Sequence, residues 1–185
     1  MNRKIREIAD IQSGIYLKTV PDGDVIYLQI KDFKANNSIH SNLEPSIKDN
    51  GNISNHLLLE GDLLFAAKGT SNFCSVYNTT IGKAVASSSF FVIRIKETEV
   101  CPYCLCWFLN SHDILKTLKN NAVGSSIPSI TKSMIEEIEF EIPSIEKQLL
   151  IIEISNLQNR EEELYRSIFS QKKALTNKIL TETIK

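Results

Sequence analysis

The sequence predicts an α+β fold, with a strand-rich globular domain over residues 1–143 followed by one long coiled-coil helix over residues 144–185. Three runs of β-branched, aromatic and other apolar residues predict strong strands, at residues 25–30, 63–66 and 89–95. After Pro143 the chain has no glycine and no further proline, and apolar residues recur at steps of three, four or seven. This spacing is typical of a helix with a heptad seam.

The other elements of the globular domain follow from local patterns, taken in chain order. A cluster of isoleucines predicts a short helix or irregular segment near the start, and Pro21 and Gly23 predict a turn before the first strong strand. A stretch dense in Asn, Ser and Asp, residues 36–55, predicts a long loop. The remaining predictions are strands at 74–77, 83–86 and 138–142, and helices at 103–109, 113–120 and 131–135, with Trp107 in the core.

The C-terminal helix is predicted to begin at Pro143, because proline cannot continue a preceding helix. Ser144 is expected to cap it through the side-chain hydroxyl, and Glu146 suits the positive end of the helix dipole. Such a helix would be roughly 60 Å long at 1.5 Å per residue. A helix of this length with one apolar seam predicts a partner helix.

Composition sets broad limits on function. The net charge of −1 gives no overall electrostatic attraction to nucleic acid or membrane, although it leaves room for a local basic face. The N-terminal residues lack the apolar run of a signal peptide, no stretch is long and apolar enough to span a bilayer, and the four cysteines are not spaced like a disulfide framework. We therefore expect a cytoplasmic protein that does not insert into membranes.

The order of these segments resembles the specificity subunits of type I restriction-modification systems. The resemblance covers nearly the whole chain, and the segment EGDLLFAAKGT at residues 60–70 is one of the pieces that carry it. The others are residues 8–14, 25–32, 87–94, 103–111, 124–125, 127–130, 138–143 and 146–148. Two positions depart from the usual pattern: Ser144 stands where a second proline is frequent, and Ile145-Glu146-Lys147 replaces a more acidic stretch before Gln148.

The resemblance implies a target recognition domain followed by one spacer helix. Full-length subunits of this kind contain two such units in tandem with antiparallel helices, so this chain resembles a half-length form that would homodimerise. It further implies a noncatalytic protein without cofactors, which recognises a half-site of a bipartite double-stranded DNA target. Its expected partners are methyltransferase subunits and a restriction subunit.

A metal-dependent nuclease is the sharpest enzymatic alternative. Asp22 followed by Gln29 and Lys31 could supply an acid for Mg²⁺ and a lysine for the attacked phosphate. The same residues also read as an ordinary turn leading into a strand. The sequence contains no phosphate-binding loop and no dinucleotide fingerprint.

A zinc site is the second alternative from the residues themselves. Cys101, Cys104 and Cys106 lie close in sequence, with Cys74 or His112 available as a fourth ligand. However, cysteine is also a common small apolar core residue, and Cys104 and Cys106 cannot share one helix face. We therefore expect no bound metal.

Candidate DNA-binding residues lie in polar loops that follow strands. Lysines would contact phosphates and set the register, while hydroxyl and amide groups would reach base edges. Gly69 would permit close backbone approach, and Lys68, placed directly after a buried strand, is the strongest single candidate. The candidates are Lys31, Lys34, Lys68, Gly69, Thr70, Ser71, Asn72, Ser125 and Ser126.

The heptad seam of the C-terminal helix supplies the candidate dimerisation residues. They are Leu150, Ile154, Leu157, Glu161, Leu164, Ile168, Gln171, Leu175 and Ile179. The acidic cluster 161–163 and the later Lys172 and Lys173 have opposite signs, which favours an antiparallel homodimer over a parallel one. A coiled-coil protein-interaction module without DNA binding remains a third interpretation of the same pattern.

Overall fold

The computed structural model describes residues 2–49, 51–69, 71–122 and 129–184. It confirms the predicted α+β class, with a strand-rich part followed by a long C-terminal helix. The strands are β1 (Asn2–Lys4), β2 (Ala9–Ser13), β3 (Ile26–Leu28), β4 (Leu63–Ala66), β5 (Cys74–Val76), β6 (Ala84–Ala86), β7 (Phe90–Ile95) and β8 (Glu139–Glu141). The helices are α1 (Ile5–Ile8), α2 (Pro102–Leu109), α3 (His112–Asn120), α4 (Lys132–Glu136) and α5 (Ile145–Thr183).

A four-stranded antiparallel sheet of order β2-β7-β4-β5 forms the centre. Strand β4, one of the two inner strands, is buried at every position, because its side chains alternate between two hydrophobic cores. Leu63 and Phe65 pack into a core with helices α1, α2 and α4, whereas Leu64 and Ala66 pack into a second core with β3 and β6. Burial on both faces explains why β4 reads as a continuous apolar run.

Two smaller pairs of strands complete the globular part. Strands β3 and β6 run parallel, with Ile26 opposite Ala84 and Leu28 opposite Ala86. Strands β1 and β8 are antiparallel, so the start of the chain lies beside the segment that leads into α5.

Helix α5 contains 39 residues and is therefore about 58 Å long. Gln148 is its one buried residue among those described, and Ile151 and Ile152 pack against the core of helices and sheet. Beyond Ser155, the described residues of α5 are all exposed.

The structure corrects several local predictions. The strand predicted at 25–30 is limited to Ile26–Leu28, because the Asp32 carboxylate accepts a hydrogen bond from the Gln29 N–H and turns the chain into a 3₁₀ helix at Ile30–Asp32. The isoleucine-rich start is helical only at Ile5–Ile8, since the chain from Ala9 onward pairs with β7.

Two predicted side-chain roles are wrong. The Ser144 hydroxyl makes no capping hydrogen bond, although the residue does occupy the N-cap position. Trp107 is 43% exposed on α2 and is not a core residue, because the inward positions of that helix are taken by Cys104, Leu105 and Leu109. Within the described part of the chain, no helix is long and apolar enough to cross a membrane.

Candidate nucleic-acid interface

Several chain segments meet at one edge of the central sheet. Strands β2 and β4 both run antiparallel to β7, so both end beside its first residues. The backbone bonds continue past the strands: the Gly14 N–H donates to Phe90 O at 2.9 Å, and the Ala67 N–H donates to Ser89 O at 3.0 Å. The parallel strands β3 and β6 end at the same place, where the Ser87 N–H donates to Leu28 O at 2.9 Å.

We call this edge the polar rim and define it as residues 16–19, 29–34, 68–69, 71–72 and 87–89. Three phenylalanine rings from different segments pack against one another beneath the rim surface. Phe33 lies 5.1 Å from Phe73 and 5.2 Å from Phe90 between ring centroids, and Phe73 lies 6.2 Å from Phe90. The loops that carry Lys31, Lys34 and Asn72 are therefore tied to one aromatic cluster.

The predicted DNA-binding residues fall on this rim wherever the structure describes them. Lys31, Lys34, Lys68 and Ser71 are exposed, and Gly69 adopts a φ of 100°, in the left-handed region that favours glycine. Thr70, Ser125 and Ser126 lie outside the described residues.

Lys68 is held in place by backbone contacts with the chain that returns from those undescribed positions. It forms an isolated antiparallel bridge with Ser129, and the Ile130 N–H donates to Ala67 O at 3.0 Å. The Lys68 backbone is thus anchored while its side chain is exposed.

Asn72 has a more structural position than its neighbours. Its side-chain amide donates to Ala66 O at 3.0 Å and closes the loop between β4 and β5. One of its donors is therefore used inside the protein, and its contribution to a DNA contact would be limited to the remaining amide atoms.

The lysines of the polar rim differ from most other cations of the globular part in lacking partners. Arg3, Lys4, Arg6, Arg94 and Lys96 each form a salt bridge with a carboxylate. By contrast, none of the rim lysines forms a salt bridge with a described residue; these are Lys18, Lys31, Lys34 and Lys68. Against one rim carboxylate, Asp32, they give the rim a net charge of +3 in a chain whose total is −1.

Sequence reasoning missed part of this surface. Tyr16, Lys18, Ser88 and Ser89 line the rim but were not among the candidates. Their presence depends on the pairing of β2 with β7, a contact between residues some eighty positions apart. The available local signal was Gly14, followed within four residues by an aromatic residue and a lysine.

The predicted dimerisation residues occupy a different surface. Helix α5 contacts the globular part through a face that includes Gln148, Ile152 and Ser155. At 3.6 residues per turn, the seam lies on roughly the opposite side of the helix. Its apolar members are 47% to 64% exposed, and Glu161 and Gln171 are exposed as well; the apolar members are Leu150, Ile154, Leu157, Leu164, Ile168, Leu175 and Ile179.

A cleft of about 790 Å³ lies between α2 and the globular-facing side of α5. Trp107 and Tyr103 line one wall, and Asn156 and Asn159 line the other. The Asn36 amide donates to the Glu163 carboxylate at 3.0 Å, which links the long loop to the middle of the helix.

The cysteines are free thiols in environments that differ. Burial raises the pKa of Cys104 to about 11, and burial also raises the pKa of Cys74, with a further contribution from Cys106. Both thiols are therefore protonated near neutral pH in the metal-free chain. Among the described residues, no three His, Cys, Asp or Glu side chains lie together in a set that could hold a metal ion.

Comparison with known families gives a match over most of the chain. The model of a family described as "Type I restriction modification DNA specificity domain" matches residues 1–180. No protein with curated annotation matches the chain.

Solved structures share the fold at low sequence identity. A chain from a study of complex assembly and conformational transition of the type I R-M system is 16% identical, with a TM-score of 0.65 over 90% of this chain. The type I restriction-modification S subunit from M. genitalium is 17% identical with a TM-score of 0.58 over 89% of this chain. The HsdS subunit from Thermoanaerobacter tengcongensis is 15% identical with a TM-score of 0.63 over 90%. This chain spans only 40%, 40% and 39% of those three chains, respectively.

Proposed function

The chain belongs to the type I restriction modification DNA specificity family, and from this premise we propose that it is a noncatalytic subunit that recognises one half-site of a bipartite duplex DNA target. Methylation and cleavage would then be performed by the methyltransferase and restriction subunits with which it assembles. Family membership supports the role in DNA sequence specificity.

The observation that carries the proposal is the polar rim. Four lysines without salt bridges to described residues lie at one edge of the sheet, beside the hydroxyl groups of Ser71, Ser88 and Ser89. Lysines of this kind neutralise phosphates and fix register, and hydroxyls contact base edges. The same rim rests on β-strand ends and a buried aromatic cluster, so its segments are rigidly placed.

A dimer through α5 would supply the second half-site. The family-related solved chains are slightly more than twice as long as this one, which fits two copies in place of one tandem subunit. Residues 145–163 of the helix contain five glutamates, one lysine and one arginine, a net charge of −3. Residues 164–184 contain three lysines and one arginine against one glutamate, a net charge of +3. Antiparallel packing brings the opposite charges together, and parallel packing brings like charges together.

Each copy alone would bind DNA with modest affinity, because a rim charge of +3 neutralises few phosphates. Two rims joined through α5 would bind with higher effective concentration. Methyltransferase subunits that close around the duplex would add further contacts. Sequence selection would therefore be strongest in the assembled complex.

Selection from a library of random duplexes tests the proposal. We expect the full chain, with and without methyltransferase subunits, to enrich a symmetric motif with two halves separated by an unspecified spacer. Enrichment of no motif under either condition would favour the protein-interaction module. Mg²⁺-dependent cleavage by the purified chain, abolished by Asp22→Ala, would favour the nuclease.

A further inference from the structure

Tyr16 is the most solvent-exposed aromatic side chain among the described residues, at 83%, yet its backbone is firmly held. On one side the Ile15 N–H donates to Ala86 O at 3.0 Å. The hydroxyl of the buried Tyr27 bonds to the residues before and after Tyr16. It donates to Ile15 O at 2.9 Å and accepts from the Leu17 N–H at 3.2 Å. A large ring is thus displayed to solvent at a fixed position, without the burial that normally accompanies an aromatic residue.

The approach of this segment to the rim depends on a glycine. A Cβ atom on Gly14 would lie 2.1 Å from Ser87 O and 2.7 Å from Ala86 O, far inside van der Waals contact. Only glycine allows the chain to pass this close, and the close passage places Tyr16 beside the turn at 87–89.

A hollow of about 440 Å³ lies next to the exposed ring. It is lined by Tyr16, Lys18, Gln29, Ser87, Ser88 and Ser89, among others. Ser87 is only 6% exposed, and its hydroxyl has no hydrogen-bond partner within the described part of the chain. A buried hydroxyl without a partner costs folding free energy. Because this oxygen has almost no accessible surface, a group bound in the hollow would meet the neighbouring Ser88 and Ser89 first.

We propose that Tyr16 and this hollow form a base-reading subsite for duplex DNA, in which the ring packs against one nucleotide and the serine hydroxyls hydrogen-bond to a base edge. The inference rests on the proposed function and extends it to residues outside the sequence-predicted set. Lys18 lines this hollow and Lys31 follows its lining residues Gln29 and Ile30. Neither lysine forms a salt bridge with a described residue, which favours a polyanionic duplex over a peptide as the occupant.

The test is selection from random duplexes by the full chain and by its Tyr16→Ala variant, with Tyr103→Ala as the matched control. Tyr103 is also an exposed tyrosine, but it follows Pro102, which packs against Gly61 at the opposite end of β4. We expect Tyr16→Ala to lose roughly tenfold of its discrimination at one position of the half-site, within the usual range for one base pair. The salt dependence should not change because tyrosine carries no charge. Tyr103→Ala should select the wild-type motif.

Tyr27→Phe separates positioning from contact. It keeps the buried ring but removes the hydroxyl that holds both neighbours of Tyr16, so we expect a smaller loss of discrimination at the same position. If Tyr16→Ala selects the wild-type motif with equal discrimination at every position, the subsite is wrong and the proposed function stands. If the wild-type chain selects no motif, the proposed function and the subsite both fail.

Discussion

Lys68 is the residue whose contribution to DNA affinity is easiest to isolate. Its backbone is anchored by Ser129, its side chain is exposed, and it has no salt bridge with a described residue to lose on mutation. We predict that Lys68→Ala weakens DNA binding several-fold and lowers the slope of log affinity against log salt by about one, the value for one phosphate contact. Binding titrations over a salt series measure both effects. Lys116→Ala, on the exposed face of α3, is the control and should change neither.

Substitution of the buried Asp62 should change the stability of the protein, an effect that is separate from DNA contact. It is 2% exposed, and its carboxylate accepts bonds from the Arg94 guanidinium at 2.6 and 2.8 Å and from the Leu59 N–H at 2.8 Å. The hydrogen bond with Asp62 also raises the pKa of Arg94. We predict that Asp62→Ala lowers the free energy of unfolding by about 3 kcal/mol, the lower end for a buried pair because Arg94 is partly exposed.

Denaturant unfolding followed by circular dichroism measures this loss. The matched control is Asp10→Ala, which removes a carboxylate that is 75% exposed and pairs with Lys96. Its effect should stay within about 0.5 kcal/mol, as for other surface pairs. Equal effects of the two substitutions would contradict a stabilising role for the buried Asp62 carboxylate and its bonds to Arg94.

The positions of some rim residues could be predicted from the sequence, and the positions of others could not. The position of Lys31, Lys34 and Lys68 beside strand ends could be predicted because each follows a strand that its own apolar run predicts. Tyr16 could not, since its importance depends on two distant segments, around Tyr27 and Ser87, that fix the backbone on either side. The exposure of Trp107 was missed for a similar reason: apolar neighbours predict burial, but its orientation depends on which face of α2 meets the sheet.

At the scale of elements, the start of α5 is joined to the globular part by the apolar contacts of Ile151 and Ile152 and by the hydrogen bonds of one buried side chain, Gln148. The Gln148 amide donates to Glu99 O at 2.7 Å and to Pro143 O at 2.9 Å, and its oxygen accepts from the Cys101 N–H at 2.7 Å. Cys101 is the N-cap of α2, so one buried glutamine links the starts of both helices. This contact sets the direction in which the long helix leaves the domain.

We predict that Gln148→Ala destabilises the protein by roughly 1–3 kcal/mol, because it leaves buried backbone groups without partners. Hydrogen exchange should accelerate at the Cys101 amide and in the first turns of α5, which would no longer be held against α2. Gln158→Ala, an exposed glutamine of the same helix, is the control and should leave both measurements unchanged. Unchanged exchange in the Gln148 variant would show that the apolar contacts of Ile151 and Ile152 are sufficient.

The elements that sequence predicts best are those with a strong local pattern. Strand β4 occurs at the predicted residues 63–66, and α5 covers nearly all of the predicted 144–185. Strand β3 is shorter than its apolar run because a side chain, Asp32, bends the following residues into a turn. The role of Gln148 is a long-range effect, since its side chain bonds to Glu99 and Cys101, nearly fifty residues earlier in the chain.

For the whole molecule, the exposed seam of α5 predicts a dimer that a single charge would disrupt. We expect the wild-type chain to be a dimer at micromolar concentration by light scattering. Ile168→Glu should give a monomer, because it places a charge at the middle of the seam. Phe169→Glu adds the same charge one residue further on, at an exposed position off the seam, and should remain dimeric. A wild-type chain that remains monomeric over the whole concentration range would contradict the proposed dimer.

The polar residues of the seam select one antiparallel register. A two-fold axis near Arg166 places Glu161 of one copy opposite Gln171 of the other, with Leu157 opposite Leu175 and Leu164 opposite Ile168. Shifting the pairing by one heptad in either direction places Gln171 opposite Ile154 or Ile168, where its amide would lose its polar partner. The register near Arg166 also aligns the acidic half of each helix with the basic half of the other.

Disulfide trapping distinguishes this register from the alternatives. We predict that a mixture of Glu161→Cys and Gln171→Cys chains forms a covalent heterodimer under mild oxidation, because the two positions face each other across the seam. Neither variant should crosslink with itself, since like positions lie on opposite sides of the two-fold axis, about 15 Å apart along the helix at 1.5 Å per residue. The wild-type chain, whose four cysteines precede the helix, is the control. Self-crosslinking of each variant alone would indicate a parallel dimer, in which the two rims would lie at the same end of the coiled coil and the helix would not hold them apart.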